Sequence, residues 1–316
     1  MMRRREALVA GCAGLAALVG GLPRAHAVGG QLRIGYQKYG TLVLLKERGT
    51  LEKRLSAQGY DVTWTEFPGG PQLLEALNVG AIDFGTTGEA PPIFAQAAGA
   101  PLVYVGYEPA APRGEAIIVP KDSAIQSVAD LKGHKVALNK GSNVHYLLVR
   151  AIAAAGLKIR DIEPVYLAPA DARAAFERGA VDAWVIWDPF LAAAQAATGA
   201  RTLVDGTGLV DNLQFYLASR DYAARDPGAV HAVIEELDAA DRWAAGNQPE
   251  VARLFGPRVG IPAPVLQVAL ERMGYGVAPV TDEVLGKQQR IADTFHDLGL
   301  IPKPITVRDA AWRASA

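Results

Sequence analysis

The chain has 316 residues, with 32 Lys and Arg against 33 Asp and Glu, and its formal net charge is −1. This balance gives no electrostatic reason to expect nucleic acid or an anionic membrane surface as a partner. The single cysteine, Cys12, lies in the N-terminal segment. The remaining chain therefore has no disulfide, no thiolate metal site and no cysteine nucleophile.

Residues 1–27 have the pattern of a cleaved signal peptide. Arg3, Arg4 and Arg5 precede an apolar run over residues 7–22, and Ala25-His26-Ala27 is a small-x-small cleavage site. We expect export to the periplasm with cleavage after Ala27, by the general or the twin-arginine route. Removal would leave 316 − 27 = 289 residues, which is ample for two lobes.

After this segment, strand and helix patterns alternate. Residues 32–36 and 61–67 alternate in polarity as strands do, and Leu73, Leu74 and Leu77 form the apolar face of a helix that stops at Gly80. Residues 81–85 predict a short strand. The turn at residues 86–88 then leads into a helix with prolines in its first turn, so backbone N–H groups there suit a small anion.

A similar pattern recurs about a hundred residues later. Gly80, Asp83 and Gly99 correspond to Gly179, Asp182 and Gly199, and the strand-to-helix turns after Ile34 and Val136 also match. The repeat predicts an α/β chain of two lobes facing each other over a cleft. We assign residues 28–110 and 220–316 to lobe 1 and residues 111–219 to lobe 2, with the four helical patterns after Tyr222 packed outside lobe 1.

Four turns offer candidate ligand contacts. Gln37, Thr87, Gly88, Ser142 and Asn143 carry amide, hydroxyl or N–H groups, although a solvated loop residue or a simple helix N-cap explains each position as well. Two tryptophans end the strand before the fourth turn, and their spacing of three puts them on opposite faces. We expect Trp187, next to the turn, to line the cleft.

Charged residues near these turns have competing explanations. Glu89 and Asp188 could meet across the cleft as a carboxylate pair, but each also stands where a helix N-terminus favours an acidic residue. Lys38 and Lys140 occupy matching places in the two halves, and we expect both to be solvated because helix N-termini can neutralise an anion without a cation.

Support for catalysis is weak. His134, His145, His231 and His296 lack metal-ligand spacing, and no nucleophile-elbow, H-E-x-x-H or phosphate-loop motif is present. We therefore expect a binding protein that is not an enzyme and needs neither metal nor cofactor.

Long stretches of the chain resemble the periplasmic aliphatic sulfonate-binding proteins of ABC importers. The residues that carry the resemblance are LEALNVGAIDFG, TGEAPPIFAQAAGAPLVYVG, DLKGHKVALNKGSN and PADARAAFERGAVDAWVIWDPF. The resemblance runs from about Leu32 to the C-terminus. Its G-x-[IV]-D and W-D-P-[FY] elements alone are shared with nitrate-, taurine- and thiamine-precursor-binding relatives.

The resemblance implies a type II periplasmic-binding-protein fold, with a mixed sheet flanked by helices in each lobe. It implies a monomer that closes by a hinge on an alkanesulfonate and delivers it to a membrane permease and its ATPase. The family's ligand-facing turns correspond to Gln37, Thr87-Gly88-Glu89, Ser142-Asn143 and Trp187-Asp188. Alternatives are another small anion or amine, or a thiamine-pyrimidine-forming enzyme on the same fold.

Overall fold

The computed structural model describes residues 29–38 and 40–313, and the signal peptide predicted for residues 1–27 lies outside them. The ten strands of this part are β1 (Gln31–Tyr36), β2 (Asp61–Glu66), β3 (Phe84–Gly88), β4 (Leu102–Glu108), β5 (Glu115–Val119), β6 (Lys135–Leu138), β7 (Glu163–Tyr166), β8 (Ala183–Trp187), β9 (Arg201–Asp205) and β10 (Gln214–Ser219). Its α-helices are α1 (Thr41–Arg48), α2 (Thr50–Ser56), α3 (Gly70–Asn78), α4 (Pro91–Ala97), α5 (Asn143–Ala154), α6 (Pro169–Glu177), α7 (Phe190–Thr198), α8 (Arg220–Arg225), α9 (Pro227–Gly246), α10 (Gln248–Val259), α11 (Ala263–Leu270) and α12 (Asp282–Asp297).

The strands form two five-stranded mixed sheets with the same topology. The first sheet has the order β2-β1-β3-β10-β4, and the second has the order β7-β6-β8-β5-β9. In each sheet the first three strands are parallel, and the fourth runs antiparallel to both of its neighbours. The predicted α/β architecture with one mixed sheet per lobe is confirmed.

The internal repeat extends to individual hydrogen bonds. The Asp83 carboxylate accepts from the Arg33 backbone N–H at 3.0 Å, and the Asp182 carboxylate accepts from the Lys135 N–H at 2.8 Å. In each half, an aspartate just before one strand thus accepts a hydrogen bond from the neighbouring parallel strand. Asp83 joins β3 to β1 in this way, and Asp182 joins β8 to β6. Asp83 also pairs with the Arg33 guanidinium at 2.7 Å.

The strand before the second turn lies further along the chain than the sequence predicts. We predict a strand at residues 81–85 and a turn at residues 86–88, but β3 covers Phe84–Gly88. Thr86 and Thr87 pair with Tyr216 and Phe215 of β10. The antiparallel partner therefore extends the strand to Gly88, and the turn shifts to Glu89 and Ala90.

Two segments of chain connect the sheets, at residues 109–114 and 206–213. The first contains residue 110, after which we place the lobe boundary. Residues 214–218 have the pattern of a strand that returns to the first lobe, and β10 does pair with β3 and β4 of the first sheet, so the boundary set after residue 219 lies behind this strand. The hydrophobic strand at residues 214–219 completes the first lobe and does not end the second.

The helices after β10 pack mainly on the first lobe, although Phe295 of α12 also packs against His145 and Tyr146 of α5 in the second lobe. Helix α9 packs against α1, α2 and β4, and α12 packs against α4. Helices α10 and α11 form a hairpin that contacts α7 of the second lobe as well. Its apolar residues share one cluster with Leu44 of α1 and Ala192 of α7. This hairpin spans both lobes, which the sequence does not predict.

Within the described ranges, no helix combines the length and the apolar character needed to cross a lipid bilayer.

Candidate functional site

A pocket lies between the two sheets, where both lobes and both connecting segments meet. We refer to it as the polar pocket. It is lined by Gln37, Gly70, Gly88, Pro91, Gly114, Ser142, Asn143, Trp187, Asn212 and Gln214.

The structure brings five of the eight sequence-predicted residues to this pocket: Gln37, Gly88, Ser142, Asn143 and Trp187. The other three lie behind its wall. Thr87 is fully buried, and its hydroxyl donates to the Gly88 carbonyl at 3.0 Å. Glu89 and Asp188 are also buried and have partners of their own, so they do not form a carboxylate pair with each other.

Asn143 is the centre of a network that joins the lobes. Its Oδ1 accepts from the Ala90 backbone N–H of the first lobe at 3.2 Å, and its Nδ2 donates to Asn212 Oδ1 at 2.6 Å. Asn212 Nδ2 in turn donates to the Ala111 carbonyl at 2.9 Å, and Gln214 Nε2 donates to Asn212 Oδ1 at 3.3 Å. The second lobe therefore contacts the first lobe and both connecting segments through uncharged amides.

These amides can still donate to a ligand. A carboxamide nitrogen carries two N–H groups, and the nitrogens of Asn143, Asn212 and Gln214 each make one hydrogen bond in the network above. Gln37 Nε2 likewise donates once, to the Thr86 carbonyl at 3.0 Å. Four amide groups around one pocket can thus supply further N–H donors to an acceptor that binds between them.

Helices α3, α4 and α5 begin at residues that line the polar pocket, and the first turns of α3 and α5 contain backbone N–H groups. Ser142 precedes α5 and donates its hydroxyl to the Asn139 carbonyl at 2.7 Å, so its side chain does not cap the helix. Helix α3 begins at Gly70, and its N-cap, Gly69, has no side chain that could cap. First-turn N–H groups have no partner within their own helix, and their partial positive charge favours an anion.

The ten lining residues, all within the described part of the chain, include no charged side chain. Lys38 lies outside the polar pocket, half exposed, with its Nζ 3.7 Å from Glu66. Lys140 is exposed and lies over the Tyr166 ring at 5.3 Å. The positions agree with the expectation that neither lysine is needed for an anion, which remains a prediction.

Glycines at the pocket permit close contacts that a side chain would prevent. A Cβ on Gly88 would lie 1.9 Å from Asn143 Nδ2, and a Cβ on Gly70 would lie 2.8 Å from Pro91 Cγ. The first contact joins the two lobes, and the second joins α3 to α4. Both positions require glycine for the geometry of the pocket.

Behind the pocket, Glu89 lies among groups that disfavour its charge. Burial raises the pKa of Glu89 to about 7, although its carboxylate accepts from the Leu213 N–H at 3.0 Å. The nearby Glu115 is also fully buried, and burial followed by the Glu89 charge raises its pKa well above the usual range. The Asp211 charge also raises the pKa of Glu89, so the carboxyl groups that interact with Glu89 are Asp211 and Glu115, not Asp188.

Asp188 stabilises the fourth turn and links it to the hairpin α10–α11. Its carboxylate accepts from the Ala192 N–H at 3.0 Å and lies 3.3 Å from the Arg272 guanidinium just beyond α11. Burial raises the pKa of Asp188 to about 6, and the Arg272 charge opposes this shift. The N-terminal role predicted for Asp188 agrees with this contact, although α7 begins at Phe190, one residue later than predicted.

The two tryptophans of β8 have different surroundings. Trp184 is buried in the core of the second lobe, whereas Trp187 is partly buried and lines the polar pocket. The Trp187 ring also packs edge-on against Phe190 at 6.1 Å. An indole at this position can cover the apolar part of a ligand.

Five lining residues were not predicted: Gly70, Pro91, Gly114, Asn212 and Gln214. Of these, Asn212 carries a recognisable signal, because it adopts a φ of 51° and asparagine is enriched in the left-handed region. The sequence Asp211-Asn212 before β10 could have marked a constrained turn.

The described residues hold no group of three or more His, Cys, Asp or Glu side chains that could bind a metal ion. Burial lowers the pKa of His145 to about 4, and its ring lies among Phe94, Tyr166 and Phe295. The surroundings of His145 are those of a neutral core residue.

Comparison with known proteins places this geometry among binding proteins. The family model described as NMT1/THI5 like matches residues 55–252. A protein of Escherichia coli strain K12, named provisionally as an aliphatic sulfonates-binding protein, is 50% identical over 284 residues, which are 89% of this chain and 88% of the relative.

Two solved structures extend the similarity to the fold. The periplasmic aliphatic sulphonate-binding protein from Escherichia coli is 49% identical with a TM-score of 0.82, covering 90% of this chain and 92% of its own. The alkanesulfonate-binding protein from Xanthomonas axonopodis pv. citri, solved bound to MOPS, is 46% identical with a TM-score of 0.86, covering 90% and 98%. The two-lobed fold of this chain is therefore that of periplasmic binding proteins.

Proposed function

Since this chain belongs to the NMT1/THI5-like family, we propose that it binds aliphatic sulfonates in the periplasm and delivers them to an ABC permease for sulfur acquisition. The single observation that carries the proposal is the uncharged, donor-lined polar pocket between the lobes. The two solved relatives described above are named for the same ligand class, and one of them was solved with a sulfonate buffer bound.

A sulfonate suits this pocket on physical grounds. The group has three acceptor oxygens and one delocalised charge, and it remains ionised at physiological pH. Amide N–H groups and helix N-termini can satisfy such an anion without a strong cation. The ligand's organic part would then rest against Trp187 and the glycine and proline surfaces of the wall.

We assign direct contact to Gln37, Gly88, Ser142, Asn143 and Trp187, and we add the amides of Asn212 and Gln214. Thr87, Glu89 and Asp188 act from behind the wall. Thr87 bonds to the Gly88 carbonyl, Glu89 bonds to the backbone beside Asn212, and Asp188 holds the turn after Trp187.

The connectivity supports closure by a hinge. Lobe 1 comprises residues 29–108 and those from β10 onward, and lobe 2 comprises the chain between the two connecting segments. Residues 109–114 and 206–213 would act as the hinge, because they hold no strand of either sheet and contribute Gly114 and Asn212 to the pocket. The permease and its ATPase could then distinguish the closed, ligand-bound protein from the open form by its shape.

The alternatives are less well supported. The relatives reported above are named as binding proteins, so this chain is a binding protein and not an enzyme of the thiamine-pyrimidine type. Taurine, nitrate or a thiamine precursor would use the same pocket, and only a ligand comparison separates them from an alkanesulfonate.

Export and oligomeric state complete the proposal. The periplasmic relatives support a periplasmic location, and we propose that the chain reaches it with cleavage after Ala27 and acts as a monomer. Mass spectrometry of protein recovered from the periplasm should give an N-terminus at Val28. A retained N-terminus or a lipid on Cys12 would contradict this part of the proposal.

Isothermal titration calorimetry of the mature protein with a panel of anions tests the ligand class. We expect an alkanesulfonate such as butanesulfonate to bind most tightly, with taurine, nitrate, sulfate and a thiamine precursor at least tenfold weaker. Tighter binding of any of the other four would replace the proposed ligand by that compound.

A further inference from the structure

Glu89 lies in the wall between the polar pocket and a second space. Its two neighbours in the chain both approach the Asn143 amide: a Cβ on Gly88 would lie 1.9 Å from Asn143 Nδ2, and the Ala90 N–H donates to Asn143 Oδ1 at 3.2 Å. Glu89 itself lines a groove of about 290 Å³ between residues 208–211, α5 and α12, which we refer to as the outer groove. A space of this size admits water. Glu89 therefore separates the ligand pocket from a groove that solvent can enter.

The Glu89 side chain supports the wall of the polar pocket from behind. Its Oε2 accepts from the Leu213 backbone N–H at 3.0 Å, and Leu213 stands between Asn212 and Gln214, which both line the pocket. The Glu89 backbone carbonyl accepts from Gln288 Nε2 of α12 at 2.9 Å. Both the side chain and the main chain of Glu89 are thus held in place, so its carboxyl group stays close to the pocket.

The described residues place no cation directly beside the Glu89 carboxyl group. Among them, no Lys, Arg or His nitrogen lies within 4.0 Å of it, and its Oε1 is buried without a hydrogen-bond partner. Lys287, whose charge favours an ionised Glu89, is already paired with Asp211 at 2.9 Å. Within the same part of the chain, both carboxyl oxygens of Glu115 are buried and lack a partner as well. Such surroundings favour the neutral form of Glu89.

A bound sulfonate would bring a second negative charge to the other side of the same wall. Buried like charges are little screened, so the ligand and an ionised Glu89 disfavour each other. We propose that the polar pocket binds a sulfonate when Glu89 is neutral, and that an ionised Glu89 takes up a proton from the outer groove as the ligand binds. This inference rests on the proposed function and makes Glu89 a positioning residue that links ligand affinity to pH.

Other charged and titratable side chains face Glu89 from each of the surrounding elements. They are Asp211 of the second connecting segment, Tyr146 and Arg150 of α5, Lys287 and Arg290 of α12, and Glu115 of β5. Burial raises the pKa of Glu115 well above its usual range, so this group remains neutral where Glu89 ionises, at about pH 7. Glu89→Gln leaves all six side chains in place and therefore isolates the proton on Glu89.

Calorimetry with butanesulfonate between pH 6 and pH 8 measures this linkage, because the ligand itself stays ionised throughout. At pH 6 most of the protein already carries a neutral Glu89, whereas at pH 8 most of it must first take up a proton. Kd should therefore rise about threefold to tenfold from pH 6 to pH 8. At pH 7, titrations in buffers of different ionisation enthalpy should show about half a proton taken up for each ligand bound.

A matched pair of variants, each replacing a glutamate by glutamine, assigns the effect. Glu89→Gln is neutral at every pH, so its Kd should be the same at pH 6 and pH 8 within about twofold, with no proton uptake. Glu163→Gln makes the same change at an exposed side chain of β7 and should retain the wild-type pH dependence. A pH dependence in Glu89→Gln equal to that of the wild type would overturn the proposal.

The outcomes separate this inference from the function on which it rests. Failure of the wild-type protein to bind butanesulfonate at any pH would contradict the proposed function. Normal binding with one Kd across this pH range and no proton uptake would contradict the role of Glu89 alone. Thermal unfolding of both variants at each pH checks that they are folded, and proton uptake by the wild type tests the proposal without a variant.

Discussion

Gly88 and Asn143 approach each other so closely across the two lobes that no other residue fits at position 88. The Cα of Gly88, at the end of β3, faces the side-chain amide of Asn143 at the start of α5. A Cβ on Gly88 would lie 1.9 Å from Asn143 Nδ2 and 2.1 Å from Asn143 Oδ1. The same amide accepts from the Ala90 N–H. The contact therefore sets how near the lobes can come when the pocket is formed.

Gly88→Ala should weaken alkanesulfonate binding by about 1–3 kcal/mol, because the added methyl group displaces the Asn143 amide and separates the lobes. Gly286→Ala on α12 is the control, since a Cβ there meets nothing within 4 Å and the φ is helical. We expect that change to leave Kd unaltered. Calorimetry gives the Kd of the alkanesulfonate for both variants. Equal Kd values would mean that the contact between Gly88 and Asn143 is not part of the ligand-bound state.

Glu89 should make the unfolding free energy depend on pH. Its pKa is about 7 in the folded protein against 4.5 ordinarily, so the folded state binds more protons between these values. The contribution of Glu89 to the unfolding free energy is therefore largest below pH 4.5. It falls as the pH rises to about 7, and it no longer changes above that pH. The full difference is about 3 kcal/mol.

Glu89→Gln removes this dependence while keeping an oxygen that can accept from the Leu213 N–H. In urea denaturation at pH 8, the unfolding free energy of the variant should exceed that of the wild type by up to about 3 kcal/mol. At pH 4.5 this difference in unfolding free energy should be close to zero. A gap of the same size at both pH values would show that Glu89 is not buried in its charged form at pH 8.

The ion pair of Asp188 with Arg272 should be a larger source of stability than an exposed pair. Arg272→Met leaves a buried carboxylate without its cation, and we expect the unfolding free energy to fall by about 2 kcal/mol or more. Arg173→Met removes the exposed i,i+4 pair with Glu177 and should cost under about 1 kcal/mol. Equal losses in the two variants would contradict the assigned burial.

The architecture could be predicted because both halves repeat the same local signals. Gly80 and Gly179 end helices with φ of 70° and 69°, and Asp83 and Asp182 anchor equivalent strands. Both signals can be recognised in the sequence because each is a single residue at the same place in the repeated unit. The end of β3 depends on pairing with β10, more than a hundred positions away in the chain, which periodicity does not report.

The site was predictable where a turn follows a strand and not where the two lobes meet. Gln37, Gly88, Ser142, Asn143 and Trp187 all lie at the end of a strand or in the segment that follows it, up to the first residue of the next helix. Asn212 and Gln214 enter the pocket from a connecting segment whose path depends on both lobes. The hairpin α10–α11 likewise shows helical periodicity, but its contact with α7 is set by tertiary packing.

The central claim is that uncharged donors at the ends of helices, and not cations, hold the sulfonate. Calorimetry with butanesulfonate on four single variants at low and high salt tests it most directly. Asn143→Ala and Ser142→Ala should each weaken binding by about 1–3 kcal/mol, and Lys38→Ala and Lys140→Ala by well under about 1 kcal/mol, with little change as salt rises. Loss of binding in the lysine variants, with the other two unaffected, would contradict the account.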